Sequence, residues 1–131
     1  MDENMNNAKL YSPLVLAYIG DSVYEVYVRE RVLEANPAMP AYKLHKESVK
    51  YVKAAAQAKS IHEIEGILDE EELAAYKRGR NAKSPTVPKN ADVTDDRCAT
   101  GFEALIGYLH LSGKHERMTE LMEKAFSAVN N

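Results

Sequence analysis

Leu16-Ala17-Tyr18-Ile19-Gly20-Asp21-Ser22-Val23 places one acid and one glycine inside an otherwise apolar run. Ser12-Pro13 opens the segment: serine can cap a helix, and proline is tolerated at the first helical position. The spacing predicts a helix to about Glu34, ending near Asn36-Pro37. Leu14, Val15, Leu16, Ile19, Val23, Val26, Val28, Val32 and Leu33 cover nearly every side of it, the pattern of a central, buried helix. Its polar exceptions, Asp21, Glu25 and Arg29, recur every four residues and share one stripe.

Helical periods continue outward from this segment. Pro40 opens a second predicted helix, through about His62, with Ala41, Leu44, Val52 and Ala55 on one face. Lys43, Lys46, Lys50 and Lys53 fall on another face, which is either a solvated surface or an RNA-facing stripe. A short connection with Gly66 leads to a third helix from Asp69 to about Arg78, whose first turn is acidic, as the helix dipole favours. The stretch from Gly79 to Val93 has no period and reads as a long loop. Thr94 caps a fourth long helix that stops at Ser112-Gly113, and a last helix runs from Lys114 to about Ala128. No period-two alternation competes, so the chain reads as all-α, a single domain over residues 1–131, with residues 1–7 and 129–131 frayed.

Composition narrows the function classes. The 131 residues are 45% hydrophobic and 28% charged, enough for one core without disulfides. The single cysteine, Cys98, excludes an internal disulfide and fits a reducing compartment. Met1-Asp2-Glu3-Asn4 lacks a signal peptide's basic start, and no apolar stretch approaches the roughly 20 residues that span a bilayer. These features predict a cytoplasmic protein with no membrane partner. The net charge of −3 hides an asymmetry. Residues 63–72 carry six acids and no base, whereas residues 77–89 carry five bases, Lys77, Arg78, Arg80, Lys83 and Lys89, and no acid. A basic segment in an acidic chain points to a defined anionic partner.

Two acids stand out. Asp21, flanked by apolar helix, needs a partner: a base, a metal or water in a cleft. Arg29 and Arg31 offer a structural ion pair as the plainer account. Gly20 beside it costs about 1 kcal/mol of helix propensity relative to alanine, which makes sense where another backbone approaches closely. Phe102-Glu103-Ala104-Leu105-Ile106-Gly107 repeats the arrangement. If both helices bring their acids to one point, the carboxylates repel unless a cation lies between them. Mg²⁺ commonly takes one or two protein carboxylates, the remainder being water and substrate phosphate. His45, His62, His110 and His115 show no metal-ligand spacing.

Residues 16–23 resemble the ribonuclease III signature helix, L-E-F-L-G-D-S/A-hydrophobic. Residues 100–107 resemble that family's second motif, D-T-hydrophobic-E-A-L-I-G. The likeness spans roughly residues 10–125 and leaves no room for a double-stranded-RNA-binding domain, as in the branch that consists of the catalytic domain alone. It implies a ribonuclease III-like helical bundle that cuts duplex RNA and leaves 5′-phosphate and 3′-hydroxyl ends. Asp21 and Glu103 are the implied catalytic and metal-binding residues, for Mg²⁺ or, in its place, Mn²⁺. The signature glutamate falls on Ala17 and the second aspartate on Thr100, so two of the four usual acids are missing. Asp96 shares their face and is a candidate supporting acid.

The resemblance also implies a homodimer, with Tyr18 at its interface; a core aromatic is the plainer reading of Tyr18. It implies precursor large-subunit (23S) ribosomal RNA as substrate and leaves open a large-subunit ribosomal protein as helper. Lys77, Arg78, Arg80, Asn81, Lys83, Ser84 and Lys89 are the expected RNA contacts, since duplex RNA is read mainly through phosphates and 2′-hydroxyls. The alternative is a non-catalytic RNA-binding protein on the same fold, which only the losses at positions 17 and 100 support.

Overall fold

A computed structural model describes residues 8–82 and 93–130. After a 3₁₀ turn at Ala8–Leu10 come α1 (Pro13–Ala35), α2 (Ala41–Val52), α3 (Ala54–Ile64), a second 3₁₀ turn (Glu65–Ile67), α4 (Glu70–Asn81), α5 (Val93–Leu111) and α6 (His115–Val129). No strand occurs among the described residues, as the periodicity predicts.

The ends of α1 follow the sequence signals. Ser12 Oγ accepts from the Val15 amide at 3.3 Å, with Pro13 at the first helical position. Asn36 closes the other end, its side chain donating to the Val32 carbonyl at 2.9 Å. The α5 stop is equally direct. Gly113 takes the left-handed conformation, φ 74°, and the Lys114 amide reaches back to the Leu109 carbonyl at 2.9 Å. At the start of α4, Asp69 and Glu72 form a reciprocal capping box. Glu72 is almost fully buried and also accepts two bonds from Arg117 of α6, at 2.8 and 2.9 Å. Its carboxylate thereby joins two helices through three hydrogen bonds.

The central helix is α5, not α1. It carries ten buried residues and packs against α1, α3, α4 and α6. In α1, Leu16, Tyr24, Val28 and Val32 face the core, while Val15, Tyr18, Val26 and Leu33 remain exposed. The all-round apolar pattern of α1 thus covers two different faces, one inward and one left on the surface.

Two other expectations are corrected. The predicted helix from Pro40 to His62 is two helices, broken at Lys53, whose backbone is extended (φ −65°, ψ 155°) although no proline or glycine is present. The halves serve different partners: α2 packs on α1, and α3 on α5 and α6. The helix predicted to stop near Arg78 continues through Asn81, because Gly79 lies inside a close crossing with α5. A methyl group at Gly79 would meet Ala104 Cβ at 2.6 Å and Gly101 Cα at 2.9 Å. At the other end, α6 extends through Val129, and Tyr51 Oη donates to Asn130 at 2.9 Å. Cys98 is buried and accepts from Tyr76 Oη, a packing residue as its neighbours suggest.

The closest of the glycine crossings among the described residues joins α1 to α5. A side chain at Gly20 would be driven into the carbonyl of Glu103, and one at Gly107 into the carbonyl of Leu16. Backbone meets backbone here, with no flexible atom able to give way. Gly20→Ala should therefore cost about 3 kcal/mol or more, beyond ordinary overpacking. Gly66→Ala, with open space around it, should change stability by less than about 1 kcal/mol. Thermal melts of both variants check this; equal losses would contradict it.

Candidate active site

The glycine crossing decides where the two motif acids go. Asp21 follows Gly20 on α1, and the Glu103 carbonyl is what Gly20 packs against. Their side chains consequently meet. Glu103 is mostly buried, and Asp21 sits at the exposed mouth of the pair. The apolar sequence around both acids predicts burial for each; Glu103 follows it, whereas the exposed stripe of α1 passes through Asp21.

Burial pushes the Glu103 carboxyl up to about 8, with the hydrogen-bonding contact and negative charge of Asp21 adding to the effect and Asp96 contributing from farther off. One bond opposes the shift: Gln57 Nε2 donates to Glu103 Oε2 at 3.4 Å. Among the described residues neither Asp21 nor Glu103 has an ion-pair partner. The plain account of Asp21 as a structural ion pair fails on the same ground. Arg29 pairs with Glu25 at 3.3 Å, and Arg31 with Glu34 at 3.1 Å.

Positions 17 and 100 add no charge. Ala17 is buried one turn before Asp21, and the Thr100 hydroxyl turns back to donate to the Asp96 carbonyl at 3.0 Å. No group of three His, Cys, Asp or Glu side chains is poised to hold a metal among the described residues. Two hard carboxylates in contact, one kept toward its protonated form by burial, nevertheless fit a hydrated divalent cation.

The basic segment begins beside this site. Gly79 packs against Thr100, Gly101 and Ala104, so the last turn of α4 lies along the α5 turn that carries Glu103. Lys77, Arg78, Arg80 and Asn81 therefore stand on a helix end and not in a loop. Lys77 is exposed. Arg78 donates to the Tyr11 carbonyl at 3.3 Å, and Arg80 lies 5.5 Å from the Tyr76 ring centre and bonds Asn81. Lys83, Ser84 and Lys89 lie outside the described residues.

The residues from Leu14 to Lys114 match the Ribonuclease III domain model. The chain belongs to the ribonuclease III family. It is 50% identical over 115 residues to the Mini-ribonuclease 3 of Clostridium tetani, covering 88% of this chain and 76% of that one. It is 48% identical over 128 residues to the Mini-ribonuclease 3 of Brevibacillus brevis, covering 98% and 95%. A crystal structure of a protein from Fusobacterium nucleatum is similar, with a TM-score of 0.80 at 31% identity, covering 89% of this chain and 93% of that one. Membership in the Mini-ribonuclease 3 branch makes this chain an endoribonuclease, of a family that acts on double-stranded RNA and uses divalent metal. The non-catalytic reading is thereby set aside. No described helix is long and apolar enough to cross a membrane.

Gln57 is the site residue that sequence reasoning missed. A lone amide within Ala54-Ala55-Ala56-Gln57-Ala58 was its signal.

The raised carboxyl has a consequence for the metal-free protein. Between pH 4.5 and about 8 the folded chain keeps a proton on Glu103 that the unfolded chain has released. Stability from this residue is full below that window and is lost as pH rises through it. Glu103→Gln should flatten the decline and be more stable than the parent at pH 8 in EDTA, by on the order of 2 kcal/mol. Parallel stability curves for the two proteins would contradict this.

Proposed function

We propose that this protein is a Mg²⁺-dependent endoribonuclease that cuts double-stranded RNA within precursor large-subunit (23S) ribosomal RNA, with Asp21 and Glu103 as its catalytic carboxylates. The contact of these two side chains at the Gly20–Gly107 crossing carries the reading. Asp21, exposed, and Glu103, mostly buried, are the residues that would hold the cation. The cation, when bound, supplies the Lewis-acid charge that phosphodiester hydrolysis needs near neutral pH, and Mn²⁺ can replace Mg²⁺ in that role. The products of such a hydrolysis are 5′-phosphate and 3′-hydroxyl ends.

The chain's own residues do the holding. Lys77 and Arg80, at the α4 end beside the site, meet backbone phosphates of the duplex, with Arg78 and Asn81 next to them and Lys83, Ser84 and Lys89 continuing the basic run. A-form RNA offers two strands to cut, which favours a two-site enzyme. Tyr18 is 74% exposed on α1, not a core aromatic. One turn on, an apolar groove opens between Val23, Val26, Tyr27 and Met122. An exposed aromatic and an open apolar groove on neighbouring turns of one helix suit a self-complementary two-fold interface. The homodimer acts in the cytoplasm, where its RNA substrate is made; a large-subunit ribosomal protein bound to that RNA is the partner this reading leaves for it.

Duplex RNA, Mg²⁺ and three proteins test the proposal. The parent should cut, and Asp21→Asn and Glu103→Gln should bind the duplex as tightly as the parent yet cut at least about a thousandfold more slowly. Replacing Lys77 and Arg80 together with alanine should weaken binding and lower its log–log salt slope by about 1 to 2. Equal cutting by parent and carboxylate variants sinks the catalytic assignment, and an unchanged salt slope sinks the RNA-contact assignment.

A further inference from the structure

Gln57 is 1% exposed and sits in the first turn of α3, where the chain has just broken at Lys53. Its Nε2 makes two contacts. It donates to the Val52 carbonyl at 2.9 Å and to Glu103 Oε2 at 3.4 Å. In an uninterrupted helix the Val52 carbonyl would receive the Ala56 amide; here the Gln57 side chain takes it. The same amide group therefore occupies the helix break and reaches the catalytic glutamate across the α3–α5 interface. At its other end, Gln57 Oε1 is buried and accepts no hydrogen bond among the described residues.

A buried amide is expensive unless both ends are used, and a glutamine is a poor choice for this place if packing alone mattered. Ala54, Ala55, Ala56 and Ala58 surround it in sequence, so an apolar residue would suit the segment better. The Gln57 amide serves two groups, the Val52 carbonyl at the helix break and the Glu103 carboxylate. Among the described residues Glu103 has no ion-pair partner, and alanine at 17 and threonine at 100 supply it no charge. Among the described residues, Asp21 and Gln57 are the side chains in hydrogen-bonding contact with its carboxylate.

We propose that Gln57 is a positioning residue for this active site. Nε2 holds one carboxylate oxygen of Glu103 and leaves the other free toward Asp21, while Oε1 accepts from water bound in the site. The residue takes over, by hydrogen bonding, part of the orienting that the missing acids would do by charge. Partners of this kind around a metal ligand are worth ten- to a hundredfold in metal affinity or activity. The inference rests on the reading of Glu103 as a cation-holding residue.

The test compares the parent with Gln57→Met, which keeps the length and loses the amide, and Gln57→Ala, which loses both. Three quantities are read: kcat and KM on duplex RNA with Mg²⁺, Mn²⁺ binding without RNA, and melting temperature. Both variants should lose ten- to a hundredfold in kcat with KM within about threefold, and about tenfold in Mn²⁺ affinity. Their losses should match each other although alanine, by leaving a cavity, melts lower than methionine. Raising Mg²⁺ should restore much of the rate in both. Mn²⁺ affinity equal to the parent's in Gln57→Met overturns the proposal, as does a rate loss that follows melting temperature and spares the methionine variant. The functional reading fails separately: a parent that binds Mn²⁺ but cuts no RNA contradicts the nuclease and leaves the comparison of Mn²⁺ affinities to decide Gln57.

Discussion

The contact of two helix backbones at Gly20 and Gly107 is the constraint on which the rest of the molecule depends. Side chains normally keep helices 8–10 Å apart. Here each glycine faces a carbonyl of the opposite helix, Glu103 for Gly20 and Leu16 for Gly107, and any side chain would collide with it. Such proximity brings Asp21 and Glu103 into contact, because each acid is a neighbour in its own helix of the crossing point. A second close crossing, Gly79 against Gly101, fixes the basic end of α4 on the same helix, α5. One central helix thus carries the acid and receives both the second acid and the cationic segment.

Electrostatics turns that geometry into chemistry. Two carboxylates in contact cannot both be charged cheaply, and Glu103, the buried partner, keeps its proton toward pH 8. Glu72, more deeply buried, is met by Arg117 and by the Asp69 amide of its own cap. The contrast separates a carboxylate that the protein pairs with an arginine from one that it leaves without an ion-pair partner among the described residues. With Ala17 and Thr100 supplying no charge, the pair is a reduced site, suited to a cation that keeps most of its water.

Much of this was readable in the chain. Capping residues marked the ends of α1 and the stop at Gly113 because those signals act over three or four residues. The motif acids and their glycines were visible as exceptions in apolar helices. Features set by long-range packing were not. The break at Lys53 has no local breaker; it arises because α2 and α3 pack on different helices and Gln57 takes the Val52 carbonyl. Gly79 looked like the start of a loop, since a glycine's close packing partner lies elsewhere in sequence. Asp21 was expected to be buried because α1 is apolar all round; its second apolar face, with Tyr18, is exposed.

Locating the cation tests the central claim most directly. Crystals of the protein soaked in Mn²⁺ and measured at the manganese absorption edge should show one anomalous peak between the carboxylates of Asp21 and Glu103, absent from crystals of Glu103→Gln. Mn²⁺ bound elsewhere on the molecule, with none between these two side chains, would contradict the account.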